Sequence, residues 1–136
     1  MSYNTVLLKG DNRHFQEDVA AGAITPGHLI EFDSVGEVQV NSVASDEDPA
    51  LMFAMEDSLQ GKEITQAYAE NEIVKHITVS SGEEVYAIAS GAVAIGDKVE
   101  SAGDGTLSTK SSGSGRAVAV AKTAAADGER FVAQVL

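Results

Sequence analysis

The sequence predicts an all-β fold, mainly β with one short helix, arranged as a small barrel or sandwich-like domain with an extended N-terminal arm. Three observations support this fold class. Short runs of β-branched and apolar residues recur along the chain, separated by turn-forming residues. The 136 residues include 13 glycines but only two prolines, which suits tight turns between short strands. Finally, a similar sequence motif, called the repeated phrase below, occurs twice, as GAITPGHLIE at 22–31 and as GAVAIGDKVE at 91–100.

The repeated phrase predicts a β-turn-β corner that is used twice. In each copy a glycine opens a turn, a second glycine reverses the chain, and an apolar residue re-enters the core three positions later. Gly22, Gly27, Gly91 and Gly96 are therefore predicted to be structural corners, because glycine adopts backbone angles that other residues disfavour. The phrase holds no obvious nucleophile, base or metal cage, so we expect it to build a shape in a pseudo-symmetric domain.

Two regions are expected, an arm at 1–20 and a β-rich domain at 21–136. The arm contains one apolar patch, VLL at 6–8, followed by polar and charged residues from Lys9 to Asp18. No helical apolar stripe runs through it, so an extended segment that docks on a partner is expected. An ordinary edge strand followed by a loop is the alternative interpretation.

Strands are predicted through most of the domain, at 29–32, 38–40, 51–56, 73–79, 83–90, 117–121 and 131–136. In IVKHITV, the residues Ile73, Ile77 and Val79 are expected to share one face. In AVAVA at 117–121, the valines are expected to point inward and the alanines outward, because side chains alternate along a strand.

One helix and several turns complete the prediction. Ile64, Ala67 and Tyr68 stand at helical spacing, which predicts a short helix over 63–69. The Gly- and Ser-rich stretch at 101–116 predicts either two turns around a short strand or a mobile loop. Asp127-Gly128 predicts a hairpin turn.

Charge and composition exclude several classes of partner. The formal net charge is −12 and the pI is about 4.4, so phosphate backbones should be repelled and direct nucleic-acid binding is not expected. The absence of cysteine excludes disulfides and thiolate metal sites. The N-terminus lacks the apolar run of a signal peptide, and no stretch has the length of a membrane-spanning helix. We therefore expect synthesis in the cytoplasm and no membrane partner.

The titratable residues do not predict a catalytic or metal site. His14, His28 and His76 show no i+2 or i+4 pairing, and His76 is expected to be an ordinary half-exposed strand residue. The acidic run at 46–48 lacks the oxygen spacing of a calcium loop and predicts a solvated loop. No catalytic residue, no metal and no cofactor are expected, and the protein is not expected to be an enzyme.

The residues also allow two alternative functions. Asp97-Lys98-Val99 loosely resembles the attachment triplet of lipoyl and biotinyl carrier domains, which would make Lys98 the modified residue. In known carriers that lysine occupies a hairpin tip separate from the Gly-Asp corner, whereas here both would coincide. The second alternative is a small hydrolase or lyase that uses His76 with a nearby carboxylate.

Residues 22–136 also resemble a known family. The order of ALMFAMEDSLQGKEITQAYAENEIV, then EEVYAIAS, then GAVAIGDKVESAGDGTL, then GRAVAVAKTAAADGERFVAQVL is similar to that of the capsid decoration, or cement, proteins of tailed bacteriophages. The resemblance implies a structural virion protein, made in the host cytoplasm, that forms a homotrimer on the outer surface of the expanded head. Such a protein binds the major capsid protein where its subunits meet and stabilises the shell.

The resemblance also implies an extended N-terminal arm, and the apolar patch indicates which residues of it would contact the capsid. An arm of this kind could add a strand to a sheet edge of the capsid protein. The expected capsid-binding residues are Tyr3, Val6, Leu7, Leu8, Arg13 and Phe15.

Overall fold

The computed structural model describes residues 2–10, 15–111, 113 and 115–136, and it confirms the all-β fold class. The strands are β1 Leu7–Lys9, β2 Phe15–Val19, β3 Leu29–Phe32, β4 Val38–Val40, β5 Met52–Ala54, β6 Ile73–Thr78, β7 Glu84–Ile88, β8 Lys98–Ser101, β9 Leu107–Thr109, β10 Ala119–Ala121 and β11 Arg130–Val135. A single 3-10 turn, Ser58–Gln60, is the helical element of the described chain.

The strands form two antiparallel sheets that pack as a sandwich without a closed barrel. One sheet has the order β1-β7-β11-β10-β8-β9, and the other has the order β2-β6-β5-β3-β4. When β1 is set aside, the two orders are the same, with β7, β11, β10, β8 and β9 in the places of β2, β6, β5, β3 and β4. The chain therefore contains one five-stranded unit twice, at residues 15–79 and 84–136.

Four corners, at residues 23–30, 67–74, 92–99 and 124–131, connect the strands in the same way. Each begins with an alanine, and its second residue pairs with another corner: Ile24 with Tyr68, and Val93 with Ala125. Both backbone hydrogen bonds form in each pair, at 2.7 to 3.1 Å. Each corner then turns through one left-handed residue: Gly27 (φ +98°), Asn71 (φ +72°), Gly96 (φ +89°) or Gly128 (φ +78°). The repeated phrase marks two of these four corners.

Each unit has the same apolar cluster at equivalent positions. In the first unit it consists of Ala20, Ile24, Ile30, Val38, Met52, Ala54, Tyr68 and Val74. The equivalent residues of the second unit are Ala89, Val93, Val99, Leu107, Ala119, Ala121, Ala125 and Phe131. This second cluster is continuous with the packing between the sheets, to which the first unit contributes Leu29, Phe53 and Ile77. Burial of the second cluster against these residues holds the two units together, while burial of the first cluster stabilises the first unit.

Most predicted strands are confirmed, and so is the short strand predicted within the Gly- and Ser-rich stretch, where β9 follows Gly105. The second predicted turn falls partly outside the described residues. The helix predicted over 63–69 is wrong. Ile64 and Tyr68 are buried as the spacing suggested, but Ala67 is exposed. The backbone of Tyr68 is bonded to Ile24 in a corner, so it cannot make the i to i−4 bond of a helix.

Two predicted strand faces are confirmed only in part. Val118 is buried as predicted. In β10 the alanines Ala119 and Ala121 are buried, while Val120 is half-buried on the opposite face. In β6, Ile77 and Val79 are buried together as predicted, but Ile73 is 40% exposed. The prediction that His76 is half-exposed is wrong, because its side chain has no exposed surface. Val74 and His76 share the face that carries the first cluster, and Ile77 lies on the other face against the second sheet.

Candidate interaction surface

The N-terminal segment is anchored to the domain by one carboxylate. The Val6 N–H donates to Glu56 Oε1 at 2.7 Å, and Thr5 Oγ1 donates to the same carboxylate at 3.0 to 3.1 Å. The Val6 carbonyl accepts from the Tyr86 N–H at 2.7 Å, which starts the pairing of β1 with β7. Glu56 belongs to residues 55–64, an insert between β5 and the second corner that has no counterpart in the second unit.

An aromatic pair and a half-buried arginine shape the surface beside this anchor. The Tyr3 and Tyr86 rings meet edge to face with centroids 5.2 Å apart, and the Arg130 guanidinium lies 5.8 Å from the Tyr86 ring. Arg130 donates to the Ile64 carbonyl at 2.6 Å and to the Tyr86 carbonyl at 3.3 Å. Burial lowers the pKa of the Arg130 side chain. These residues line an open groove of about 520 Å³.

The six predicted capsid-binding residues differ in accessibility. Val6 is fully buried in the core, and Leu7 and Leu8 are half-buried against it. Tyr3 is 37% exposed at the groove, and Phe15 is 45% exposed at the start of β2 with Lys75 Nζ 4.6 Å from its ring centre. Arg13 lies outside the described residues. Contact with a capsid by these residues stays a prediction, and the side chains that a partner can reach most readily are Tyr3 and Phe15.

The boundary between arm and domain at residue 20 also stays a prediction. The segment before it contributes one strand to each sheet: β1 pairs with β7, and β2 pairs with β6 over its whole length. The described part of this segment is extended, as the sequence predicted, and lies on the domain.

The four glycines predicted at structural corners do not share one role. Gly27, Gly91 and Gly96 have positive φ, whereas Gly22 does not. A Cβ at Gly27 would lie 2.8 Å from the Tyr86 carbonyl oxygen and would collide with the Arg130 guanidinium, while a Cβ at any of the other three would meet open space. Gly27 therefore allows a close approach between the two units as well as a turn.

His76 is paired with a carboxylate, and its ring is buried while the Asp18 side chain is partly exposed. Its Nε2 lies 2.7 Å from Asp18 Oδ2, the ring has no exposed surface, and the Phe32 ring packs on it edge to face. His76 Nδ1 has no hydrogen-bond partner among the described residues. The equivalent residues in the second unit are Ala87 and Ala133, so this hydrogen-bonded pair occupies a position of small core residues.

Lys98, the candidate modification site, is the first residue of β8 and is exposed. It pairs with Val120 of β10 and does not occupy a hairpin tip. Among the residues described, no group of three or more His, Asp or Glu side chains could hold a metal ion. No helix in the same part of the chain is long and apolar enough to cross a membrane.

Sequence reasoning missed Glu56 and Arg130. Glu56 stands at the end of the strand predicted at 51–56, and Arg130 follows the hairpin turn predicted at Asp127-Gly128; neither position predicts a contact. Each acts through backbone groups far away in the sequence, at Val6 for Glu56 and at Ile64 for Arg130. The sequence offers one signal for both residues, since each stands directly beside an apolar run. A charged side chain that becomes buried at such a position needs a hydrogen-bonding partner.

Comparison with known proteins gives a structural similarity. No family model matches the chain, and no curated protein sequence matches it significantly. A solved structure, the head fiber gp8.5 N base of bacteriophage phi29, superposes with a TM-score of 0.63 at 13% sequence identity. The superposition covers 90% of this chain and 92% of that chain. At this identity the similarity establishes a shared fold, over nearly the full length of both chains.

Proposed function

We propose that the chain is a decoration protein of a bacteriophage head, which binds the outer surface of the expanded shell and stabilises contacts between major capsid subunits. The observation that carries the proposal is the fold shared with a phage head fiber base over nearly the whole of both chains. The resemblance of residues 22–136 to decoration proteins rests on different information, the order of sequence motifs, and supports the same function.

The surface chemistry is compatible with this role. A net charge of −12 favours solubility and disfavours non-specific association, including contact with the packaged DNA. Exposed aromatic side chains at Tyr3 and Phe15 supply apolar contact area for a protein partner. Many copies bind one shell, so moderate affinity at each site is enough for a stable coat. We propose that the protein acts without catalysis and as a homotrimer.

Binding to heads tests the proposal directly. Purified protein is mixed with expanded heads that lack it, the heads are sedimented, and the bound protein is measured. We expect saturable binding and heads that release DNA at a higher temperature when coated. Absence of the protein from purified virions, or equal robustness of bare and coated heads, would contradict the proposal. Mass measurement in solution and on heads tests the trimer.

Point variants test the contact residues better than removal of the arm. Deleting residues 2–12 would remove Val6 from the core and destabilise the fold, so weaker binding would have two explanations. Tyr3→Ala and Phe15→Ala alter accessible side chains, and Val35→Ala, in the turn after β3 and 76% exposed, is the matched control. We expect the first two variants to bind heads more weakly and the control to bind normally.

The carrier alternative predicts a covalent adduct. An intact-mass spectrum of protein purified from its native host would show an unmodified chain under our proposal. A lipoyl or biotinyl mass on Lys98 would support the alternative.

A further inference from the structure

The internal duplication identifies one sheet edge that differs between the two units. In the second unit the outer edge of β7 is covered by β1. The equivalent strand of the first unit is β2, and it ends the order of its sheet. Within the described ranges, no strand pairs with the outer edge of β2. The fold therefore has one occupied and one open copy of the same strand-binding edge.

The register shows that the open edge has the same hydrogen-bonding geometry as the occupied one. Ala20 donates to the Glu72 carbonyl in the first unit, as Ala89 donates to the Glu129 carbonyl in the second. Hydrogen bonds to the neighbouring strand alternate along an antiparallel pair, so Glu17 is equivalent to Tyr86 and its N–H points away from β6. In the occupied copy, the Tyr86 N–H donates to the Val6 carbonyl.

Charge selects among possible occupants of the β2 edge. A second β2 strand that pairs antiparallel about Glu17 would bring Glu17 opposite its own copy, and like charges directly opposite are destabilising. The net charge of −12 disfavours any acidic segment in the same way. A strand that carries lysine or arginine opposite Glu17 is favoured. The exposed Phe15 ring lies on the same face of β2 as Glu17 and offers an adjacent apolar contact.

We propose that the β2 edge accepts an extended strand of the shell protein, with a basic residue placed opposite Glu17. This inference rests on the proposed function and adds the contact by which the head is recognised. Backbone hydrogen bonds supply the affinity, and the Glu17 and Phe15 side chains set the register. The β1 segment on β7 shows the form that the bound strand takes.

A proline variant isolates the backbone contact. Glu17→Pro removes the outward N–H, and proline is tolerated on sheet edges whose N–H faces solvent. Glu17→Ala keeps the N–H and removes the charge, so it is the matched control. We expect Glu17→Ala to weaken binding to expanded heads about threefold and Glu17→Pro about tenfold or more, with thermal unfolding of both close to that of the parent chain.

Hydrogen exchange of the unchanged protein provides a second measurement that does not depend on the folding of a variant. On heads, the outward amides of β2, at Phe15, Glu17 and Val19, should become protected. The amides of Leu107–Thr109, at an edge of the other sheet, should exchange as before. This inference would be overturned, with the proposed function left standing, if the parent chain binds heads without altered exchange in β2 and Glu17→Pro also binds fully. Failure of the parent chain to bind heads would overturn the proposed function and this inference together. A change in the mass of the free oligomer on Glu17→Pro would show that a second copy occupies the edge, which also overturns it.

Discussion

Alanine at Gly27 and alanine at Gly96 make the same chemical change at equivalent positions of two corners. Both glycines have positive φ, +98° and +89°, so a methyl group is strained in either place. Their surroundings differ. A Cβ at Gly96 meets open space, whereas a Cβ at Gly27 would lie 2.8 Å from a backbone oxygen, that of Tyr86, and would collide with the Arg130 guanidinium.

The expected magnitudes follow from these contacts. A left-handed alanine costs about 1–2 kcal/mol, and loss of glycine freedom in the unfolded chain returns about 0.4–1 kcal/mol, so Gly96→Ala should cost about 1 kcal/mol. Gly27→Ala should cost about 2 kcal/mol more, because displacing Arg130 breaks charged hydrogen bonds to two carbonyls. For a chain of this length, about 1 kcal/mol lowers the Tm by about 3.5 °C.

Thermal and urea unfolding, followed by circular dichroism, measure both variants against the parent chain. We expect the Tm to fall by about 3–4 °C for Gly96→Ala and by about 10 °C for Gly27→Ala, with unchanged urea m-values. Equal losses for the two variants would refute the reasoning, because they would show that the close approach at Gly27 relaxes without cost. A larger loss for Gly96→Ala would refute it too.

Three further predictions concern other contacts. Burial lowers the pKa of His28, and Asp104 opposes the shift. The unfolded chain therefore binds a proton more readily than the folded one, so stability should fall as the pH drops from about 7 to about 5. His28→Asn, whose amide oxygen can still accept from the Thr25 N–H, should flatten this part of the curve of Tm against pH. Glu56→Gln should weaken the anchor of β1, which we expect to appear as faster amide exchange at Leu7–Lys9 with a small fall in Tm. Tyr68→Phe removes a hydroxyl that donates to a buried carbonyl at 2.8 Å, and chemical denaturation should show a loss of about 1–3 kcal/mol.

The sequence predicts the parts of the fold where a single residue determines the backbone conformation or where polar residues show which face of a strand is exposed. Gly27 and Gly96 are visible in sequence because their left-handed conformation favours glycine. The strand at Val38–Val40 is visible because polar residues mark its outer face. The AVAVA segment offers no such mark: both of its residue types are apolar, so its pattern does not decide which face is buried.

The contacts at the candidate surface depend on distant parts of the chain. His76 is paired with Asp18, which is 58 residues away in the sequence. The Val6 N–H donates to the carboxylate of Glu56, which is 50 residues away. Local patterns carry no information about such pairs. The helical spacing of Ile64 and Tyr68 misled for a related reason, since their burial comes from a long-range corner and not from a helix face.

The duplication explains why only two of the four corners are recognisable in the sequence. The apolar clusters differ at their largest residues: Tyr68 with Val74 in the first unit corresponds to Ala125 with Phe131 in the second. In the first unit the large residue, Tyr68, lies in the corner and the smaller one lies in the strand. In the second unit the corner has the small Ala125 and the strand has the large Phe131, so the two clusters fill equivalent space with different pairs. Cores tolerate such exchanges when total volume is kept, whereas a left-handed turn tolerates few replacements. Packing therefore tolerates different side chains at equivalent corners, whereas the left-handed backbone at each turn calls for a glycine or, at Asn71, an asparagine.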